Sequence, residues 1–414
     1  MVNMTNIVVN SFLRCRSNTS NAQERGLIIM KKSFIKTIAS ILAVTALTLP
    51  VNITCVAAAE PVAAAGTPAP APTYLTPFES RYDLTSNSLS IDSLTFDGVK
   101  EVNTVAEWEE YLKACVDRGY HFVFFKAAPG LTFNLNSFMN KYGITYAVTH
   151  TITRSNVTYT GYEFTYTSSY DILNAVKAGK ESTLTEKQQL SLQAARTFLA
   201  TLPADMGSYE KELAIHNYVC EKISYTKDHT MENITDCYGG LILGRGNCSA
   251  YTDAFNLVAG LAGFTTGRVL CTVDSGLHTL NYILIDGEYY FVDCTFDDGI
   301  ASDRGYGLFY FNLPYSVIAK THALQDVPFE LKPGVNSYGY YQHYGTYADS
   351  PASLFEVYKK LANSSAGGEM LFNTSNGTAS LIELFNKYHP AGKTKIATST
   401  CAIGEYQILK FTLN

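Results

Sequence analysis

The sequence predicts an α+β protein in which one reactive core lies between two small flanking units. Three patterns predict this arrangement. A helical pattern begins at Cys248, two β-rich runs meet at the dipeptide Asp286-Gly287, and one αβαββ order of elements occurs both before and after this middle region. Helices and strands grouped in this way, with a tight hairpin, are typical of α+β folds.

Composition limits the classes of function that need to be considered. The chain has 414 residues, enough for two or three domains. Apolar residues make up 46% of it and aromatic residues 13%, so we expect a substantial core. The formal net charge is −6, which predicts no basic face and therefore no nucleic-acid partner. Only 16% of the residues are charged, which suits an extracellular surface rich in Tyr, Ser, Thr and Asn.

An export signal is predicted near the N-terminus. The segment MKKSFIK at 30–36 is positively charged, a short apolar stretch follows over 38–49, and small residues precede a cleavage site near Ala59. The apolar stretch is shorter than the ~20 residues of a comfortable membrane span. We therefore expect signal cleavage and a secreted protein, with association to the bacterial cell surface as a further possibility.

The segments around this signal are predicted to lie outside the fold. Residues 1–59 form an N-terminal extension with the signal peptide, and 60–74 form a Pro/Ala-rich linker. Cys55 leaves lipidation open as an alternative, although Thr54 stands where a smaller residue is expected. No later segment is apolar for long enough to predict an integral membrane span.

Two small α/β units are predicted at 75–175 and 348–414. Each has the order helix, strand, helix, strand, strand. The first unit is predicted to contain the helix 105–116, the strand 121–126, the helix 134–142, and the strands 146–153 and 161–166. The second is predicted to contain the helix 352–361, the strand 369–373, the helix 379–388, and the strands 395–400 and 406–413. The similar segments NSFMNKYG and IELFNKYHP support a repeat, and chance similarity is the alternative.

The middle region, 180–347, is predicted to be the catalytic domain. Helices over 185–202 and 208–225 lead into the segment GRGNCSAYTDAFNLVAGLAGF, where a helical pattern begins at about Cys248 and ends at Gly263. In the first turn of a helix, unpaired N–H groups and the helix dipole stabilise a thiolate and could later hold an oxyanion. A cysteine at a helix start is, by itself, more often a small buried hydrophobic residue.

The hairpin that follows is predicted to supply the partners of this cysteine. The segment HTLNYILIDGEYYFVDCTFDD (278–298) contains two β-rich runs joined at Asp286-Gly287, a strong hairpin signal. A register symmetric about this dipeptide places Ile285 opposite Glu288.

Continued to the strand ends, this register places Leu280 opposite Asp293 and His278 opposite Thr295. His278 and Asp293 then become diagonal neighbours on one face, ~7–8 Å apart at Cα. The carboxylate could accept the imidazole N–H and stabilise the imidazolium. A surface histidine with a strand-end aspartate is the alternative, and a β-bulge would break the geometry.

The cysteines predict neither a disulfide scaffold nor a metal centre. Seven of the nine lie after the predicted signal: Cys115, Cys220, Cys237, Cys248, Cys271, Cys294 and Cys401. An odd number leaves at least one thiol free or paired outside the chain. No Cys-x-x-Cys pair occurs, so the sequence supports no structural zinc site, and we predict no metal and no cofactor.

Together these motifs resemble the transglutaminase-like superfamily. The segment GRGNCSAYTDAFNLVAGLAGF is similar to the family's G-x-C-x-x-[YF] helix start, and LHTLNYILIDGEYYFVDCTFDD is similar to its H-A-W-N and Y-x-V-D-x-T-[WF]-D-D strands. HNYVCEKISY and DCYGGLILGRG resemble the lead-in of exported bacterial members. The resemblance covers roughly 216–325. It implies a papain-like fold, in which a cysteine-bearing helix packs on an antiparallel sheet bearing the histidine and aspartate.

The resemblance also implies roles for the three reactive residues. Cys248 is the nucleophile, His278 the general base and acid, and Asp293 the orienting carboxylate. The sequence departs from the family pattern at two positions beside the site. Leu280 stands where the family usually has Trp, and Cys294 where an apolar residue is common.

Further residues are candidates for the surroundings of the site. Tyr238 is a candidate oxyanion donor, with a packed core tyrosine as the alternative. Asn247, Leu280 and His322 are candidates for lining the cleft, with a structural role for His322 as the alternative. His216 is predicted to be a packed helix residue.

A Cys–His–Asp triad carries out acyl transfer on amides. If water resolves the thioester the enzyme is a peptidase or amidase, and if an amine does so it is a cross-linking transglutaminase. We expect protein or cell-wall peptide substrates. The alternatives are a non-catalytic surface protein that uses the fold for binding or adhesion, and a structural protein in which Cys248 is disulfide-bonded.

Overall fold

The computed structural model describes residues 76–411 except for 87–88, 143, 301, 303, 326–331, 335–338, 363–367 and 377–397. The predicted extension, signal and linker therefore lie outside the described residues. The described chain has an α+β fold, as predicted, with three larger sheets and a short two-stranded pair. Within these ranges, no helix combines the length and the apolar character needed to cross a membrane.

The first sheet has four strands in the order β1-β2-β4-β3. Its region contains β1 (Lys100–Val102), α1 (Val105–Asp117), β2 (Phe122–Ala127), α2 (Leu135–Lys141), β3 (Ile144–Arg154) and β4 (Val157–Tyr166). The pair β1 and β2 is parallel, and the other pairs are antiparallel. Aromatic side chains, including Trp108, Phe124 and Phe164, fill the core. All five elements predicted here are present.

A helical region leads from this sheet to Cys248. It contains α3 (Ser168–Lys177), α4 (Glu186–Leu199), α5 (Ser208–Lys222), β5 (Ser224–Tyr225), α6 (Cys237–Leu241), β6 (Arg245–Gly246) and α7 (Cys248–Leu261). Every residue from Ala250 to Ala259 is buried. A helix that is buried all round lies in the centre of its domain, and α7 packs on the second sheet through β7 and β8.

The second sheet has the order β10-β7-β8-β9-β11. This region contains β7 (Thr266–Val273), β8 (Gly276–Ile285), β9 (Glu288–Val292), α8 (Cys294–Asp298), α9 (Tyr315–Ile318), β10 (Ala323–Gln325) and β11 (Lys332–Pro333). Neighbouring strands are antiparallel except β9 and β11, which are parallel. A cysteine-bearing helix on this mainly antiparallel sheet is the predicted papain-like arrangement.

The predicted hairpin register is confirmed from the turn as far as Val292. Ile285 lies opposite Glu288, and Asn281 lies opposite Val292. Asp286 and Gly287 form the turn with φ of 51° and 80°. A two-residue loop in which both residues have positive φ matches the twist of the two strands. Asp and Gly adopt positive φ readily, so this dipeptide strongly predicts a hairpin turn.

Beyond Val292 the predicted register is wrong. Strand β9 ends there, so the expected pairs of Leu280 with Asp293 and of His278 with Thr295 do not form. Asp293 is instead the N-cap of α8, and its Oδ1 accepts a hydrogen bond from the Phe296 amide at 3.0 Å. An aspartate able to cap a helix competes with extension of the strand.

The third sheet has the order β12-β13-β15-β14. Its region contains α10 (Tyr340–His343), β12 (Tyr347–Ala348), α11 (Pro351–Ala362), β13 (Gly368–Asn373), β14 (Thr398–Ile403) and β15 (Tyr406–Phe411). Its strand order and directions match those of the first sheet. The predicted helix 379–388 lies outside the described residues, and the domain boundaries remain a prediction.

Truncation of a fully buried side chain on α7 should strongly destabilise the protein. Phe255 is 0% exposed in the core, so Phe255→Ala is expected to lower the free energy of unfolding by about 3–5 kcal/mol. Urea denaturation followed by circular dichroism measures this loss. Leu277→Ala is the matched control, because Leu277 is 78% exposed and its truncation should change stability by about 0.5 kcal/mol or less. Equal effects of the two substitutions would contradict the central position of α7.

Candidate active site

Cys248 is the first residue of α7, and the sequence on either side of it fixes this helix start. The side chain of Asn247 caps the helix by accepting a hydrogen bond from the Ser249 amide at 3.0 Å. Gly246 packs so closely on the helix that a Cβ atom there would lie 2.2 Å from the Cβ of Ala250. Cys248 itself is partly exposed. The thiol is thus held in the first turn of a buried helix while remaining accessible.

Polar contacts fix α7 against β8. The Thr252 hydroxyl donates to the Thr279 carbonyl at 3.1 Å. The Asn281 side-chain amide donates to the Thr252 carbonyl at 3.1 Å and to Oδ1 of Asn256 at 2.8 Å. These groups are buried, where hydrogen-bond partners are required and positions are well defined. The contacts set the spacing between Cys248 on α7 and His278 on β8.

His278 connects the thiol to a carboxylate. Its charge favours ionisation of Cys248, and its Nε2 lies 2.7 Å from Oδ2 of Asp293. Donation of the Nε2 hydrogen to the carboxylate leaves Nδ1 as the ring nitrogen for exchange of a proton with the sulfur. The edge of the Phe296 ring packs against the imidazole with the ring centroids 4.9 Å apart. The structure thus brings together all three residues of the predicted triad.

Asp293 accepts three hydrogen bonds while it is 1% exposed. Oδ1 accepts from the Phe296 amide, and Oδ2 accepts from Nε2 of His278 and, at 3.2 Å, from Nε2 of His322. The other ring nitrogen of His322 lies 2.8 Å from the Thr321 hydroxyl. A buried carboxylate needs hydrogen-bond partners, and here one oxygen accepts hydrogen bonds from two imidazoles.

The surroundings of Cys248 favour the thiolate. Burial opposes ionisation, but the hydrogen bond and positive charge of His278, together with hydrogen bonds from the backbone and hydroxyl of Thr279, outweigh it. The pKa of the Cys248 thiol is therefore lowered from its ordinary value. The thiolate is the nucleophilic form of cysteine.

The histidine and aspartate form a buried ion pair. Burial disfavours the imidazolium, but the charge and hydrogen bond of Asp293, and the interaction with Cys248, raise the pKa of His278 to about 10. Burial likewise disfavours the carboxylate, but His278 and then His322 hold the pKa of Asp293 below its ordinary value. The three groups therefore favour one another's charged forms, namely thiolate, imidazolium and carboxylate.

The structure corrects two of the predicted cleft residues. Leu280 is 1% exposed and packs in the core with Val269 and Phe291, so it does not line an open cleft. His322 is also 1% exposed and lies on Asp293, which supports its alternative structural role. Both side chains are in the interior because other side chains pack over the parts of the protein in which they lie.

The structure places the other predicted residues, Asn247, Tyr238 and His216, in different surroundings. Asn247 adjoins the nucleophile as the cap of α7. Tyr238 lies on α6, with the ammonium group of Lys187 5.6 Å from its ring centroid. Among the described residues no hydrogen bond joins Tyr238 to the triad, so its role as an oxyanion donor remains a prediction. His216 is a packed helix residue, as predicted, with 0% exposure.

Sequence reasoning missed the contribution of Thr279. Its backbone and hydroxyl both interact with the Cys248 sulfur, and its hydroxyl also lies 3.0 Å from that of Thr252. The only signal in the sequence was the position of Thr279 immediately after His278. Only the packing of α7 across β8 shows that this residue reaches the sulfur.

A polar cavity of about 430 Å³ adjoins the first turns of α7. Ser249 and Thr252 contribute to it from the helix, Arg268 from β7, and Asp171 from α3. Hydroxyl, guanidinium and carboxylate groups therefore line this cavity, whereas Cys248, His278 and Asp293 are not among its lining residues. Such a lining suits a polar ligand better than an apolar one.

Removal of the second imidazole on Asp293 should weaken the thiolate. In His322→Leu, Oδ2 of Asp293 loses one of the two donors that position it, so the carboxylate and the His278 imidazolium are less firmly placed beside the sulfur. The ionisation midpoint of Cys248 should therefore rise by up to about one pH unit. The pH dependence of iodoacetamide modification measures this midpoint. His322→Gln restores a side-chain N–H donor and should recover part of the shift. An unchanged midpoint in His322→Leu would show that this imidazole only fills space.

The site and the fold define a class, namely an α+β protein with a cysteine, histidine and aspartate arranged as in acyl-transferring enzymes. Residues 196–294 match the sequence profile of the transglutaminase-like superfamily. The chain is similar to that superfamily over this segment, which makes up less than half of its length. No curated protein matches the chain.

Solved structures similar to this chain include a TGase, with 12% identity, a TM-score of 0.24, and coverage of 42% of this chain and 50% of the other. A proposed cysteine protease from Cytophaga hutchinsonii has 13% identity and a TM-score of 0.23, with 36% and 62% covered. A proposed protease from Parabacteroides distasonis ATCC 8503 has 9% identity and a TM-score of 0.26, with 70% and 66% covered. The chain thus spans between half and two thirds of the length of these proteins.

Proposed function

We propose that the protein is a secreted cysteine enzyme that carries out acyl transfer or hydrolysis on the amides of proteins or cell-wall peptides. The observation that carries this proposal is the continuous connection from Cys248 through His278 to Asp293, with 2.7 Å between the imidazole and the carboxylate. The lowered pKa of the thiol and its partial exposure support a nucleophilic role.

The reaction follows from the charges of these groups. The Cys248 thiolate attacks the amide carbonyl carbon and forms a tetrahedral intermediate, whose oxyanion the first-turn amides of α7 can stabilise. The His278 imidazolium donates its proton to the departing amine, and a thioester remains. His278, now neutral, removes a proton from water or from an acceptor amine, which attacks the thioester and regenerates the thiolate. Asp293 keeps the imidazole oriented and balances its positive charge throughout.

The polar cavity beside α7 supports a peptide or another polar amide as substrate. Hydroxyl and charged side chains can hydrogen-bond to the backbone of an extended peptide and to its polar substituents. Both acceptors, water and an amine, remain within the proposal. The outcome depends on how far the occupied site excludes water.

The experiment compares the wild-type protein with Cys248→Ala on a peptide library and on peptidoglycan fragments, with and without a labelled primary amine. Mass spectrometry in ¹⁸O-labelled water separates cleavage, deamidation and amine incorporation. Products formed only by the wild type support the proposal. Retained substrate binding by both proteins, with no product from either, would instead favour the non-catalytic binding protein. A Cys248 thiol that is unreactive because it is disulfide-bonded would likewise overturn the enzymatic proposal.

The proposed location outside the cell rests on the lysine-rich start, the apolar stretch and the small residues near Ala59. Expression of the full chain in a bacterium, followed by N-terminal analysis of the protein in the medium and in the cell wall, tests it. A mature N-terminus just after Ala59 is expected. Full-length protein retained inside the cell would contradict secretion.

A further inference from the structure

A second cluster of reactive side chains lies between α5 and α8. It consists of His216 and Cys220 on α5, and Cys294 and Asp297 on α8. All four residues are 3% exposed or less. None of them belongs to the chain of hydrogen bonds that leads from Cys248 to Asp293, so the proposed reaction leaves this cluster unexplained.

The donor atoms of the cluster converge. Nε2 of His216 and the sulfurs of Cys220 and Cys294 all lie within 4.8 Å of one another. Nε2 of His216 lies 3.7 Å from the Cys220 sulfur and 3.0 Å from Oδ2 of Asp297. In tetrahedral zinc sites with bonds of about 2.0–2.3 Å, neighbouring donor atoms are separated by about 3.3–3.8 Å. The two separations measured from Nε2 of His216, 3.7 and 3.0 Å, are close to this geometry. The carboxylate of Asp297 does not belong to the group of donors within 4.8 Å of one another, so it would have to move toward the sulfurs to complete the site.

The spacing of the four residues is that of helical ligand pairs. His216 and Cys220 are four residues apart, and Cys294 and Asp297 are three apart. Residues three or four apart lie on the same face of a helix. Each of the two helices therefore presents two donors to the space between them.

The surroundings hold the donors in a form that could bind a metal. The other nitrogen of His216, Nδ1, lies 3.3 Å from Oδ1 of Asn217. Oδ1 of Asp297 accepts a hydrogen bond from the Tyr310 amide at 3.1 Å, while Oδ2 faces the histidine. Outer hydrogen bonds of this kind orient histidine and carboxylate ligands in zinc sites.

We propose that His216, Cys220 and Cys294 bind one Zn²⁺ ion, with Asp297 as the fourth ligand. Two cysteine sulfurs, an imidazole and a carboxylate around a closed, buried space favour zinc over the oxygen-preferring cations. Binding releases three protons, namely those of the two thiols and the one on Nε2 of His216, while Nδ1 keeps a hydrogen toward Oδ1 of Asn217. The site is structural, since all four positions are taken by the protein.

This ion would connect the cluster to the catalytic residues. Cys294 directly follows Asp293, and the ion would fasten α8 to α5. It would therefore support the helix that Asp293 caps. The proposal does not depend on the proposed function, because metal binding is measured without any substrate.

The neighbouring group of Cys271, His278 and His322 is a weaker candidate. Its sulfur and imidazole nitrogens also lie within 4.8 Å of one another. Both imidazoles, however, are already hydrogen-bonded to Asp293, and His278 serves Cys248. A metal there would remove the base from the triad.

The experiment measures zinc by mass spectrometry in the full-length protein purified without chelators. One ion per chain is expected in the wild type and in Cys248→Ala, and much less than one in Cys220→Val and Cys294→Val. Cys115→Val is the matched control, because Cys115 is equally buried but lies on α1, away from the cluster. It should retain the ion. Loss of zinc in Cys248→Ala with retention in the two cluster variants would overturn the proposal.

A second measurement keeps the proposal falsifiable if the cluster variants fail to fold. Wild-type protein reconstituted with Co²⁺ should show the ultraviolet sulfur-to-cobalt charge transfer and the strong visible bands of a tetrahedral site with two thiolates. Absence of these bands together with absence of zinc overturns the proposal. A disulfide between Cys220 and Cys294, found by peptide mapping without reduction, would also overturn it.

Discussion

Replacement of His278 by alanine is expected to slow alkylation of Cys248 at pH 7 by about 10–100-fold and acyl transfer by about 10³-fold or more. The imidazolium lowers the pKa of the thiol and supplies the proton to the leaving group. Without it, burial raises the thiol pKa and no group replaces the acid. Iodoacetamide kinetics measure the first effect, and product formation from a peptide selected in the library experiment measures the second.

The pH dependence gives the same prediction an independent test. Because the Cys248 pKa is lowered, the wild-type alkylation rate should stay near its plateau as pH falls below the ordinary thiol pKa of ~8.5. The rate of His278→Ala should fall about tenfold per pH unit in the same range. Leu277→Ala, on the adjacent exposed side chain, should behave as the wild type. Superimposable profiles of the wild type and His278→Ala would refute the ion pair.

Replacement of Asp293 by alanine is expected to be the most damaging single change in the site, both to stability and to reaction rate. Two buried imidazoles lose their common acceptor and α8 loses its cap. Removal of one partner of a buried pair costs about 3–5 kcal/mol, and loss of the orienting carboxylate lowers the rate by about 10⁴-fold. Denaturant unfolding and single-turnover kinetics measure these losses.

Asp293→Asn separates the two effects, because asparagine can cap a helix but carries no charge. It should recover part of the stability and little of the rate. The stability difference between the wild type and this variant should be largest between about pH 4 and 6.5. It should shrink as acid protonates the carboxyl, whose pKa is depressed, and as pH rises toward the His278 pKa of about 10. A difference that does not vary with pH would contradict the charged pair.

The hairpin shows how far local sequence determines this site. Asp286-Gly287 specifies a two-residue turn, and a two-residue turn fixes the register of every following pair. The prediction therefore held from Ile285 to Val292. The helical pattern and the asparagine before it also predicted correctly that Cys248 lies at the start of a helix. Helix capping could be predicted because it depends on residues that are adjacent in the chain.

The features that the sequence did not predict depend on competition between two local structures or on packing between residues far apart in the chain. The strand could have continued through Asp293, but Asp293 instead caps α8 through a hydrogen bond from the Phe296 amide. The sequence does not show which of these two structures is more stable. His322 reaches Asp293 from 29 residues further along the chain. The donors at 216–220 and 294–297 come from helices separated in sequence, so a search for Cys-x-x-Cys spacing could not reveal them.

Asp293 has one further consequence, because one side chain both begins α8 and neutralises His278. Fraying of that helix and the charge on the imidazole are therefore reciprocally linked, in the way that two ligands are linked when each alters the affinity for the other. In the proposed reaction, formation of the thioester consumes the imidazolium proton and leaves more of the carboxylate's charge for the Phe296 amide. Amide hydrogen exchange at Phe296 should accordingly slow in the acyl-enzyme, and the backbone of α8 would then report a reaction at the Cys248 sulfur.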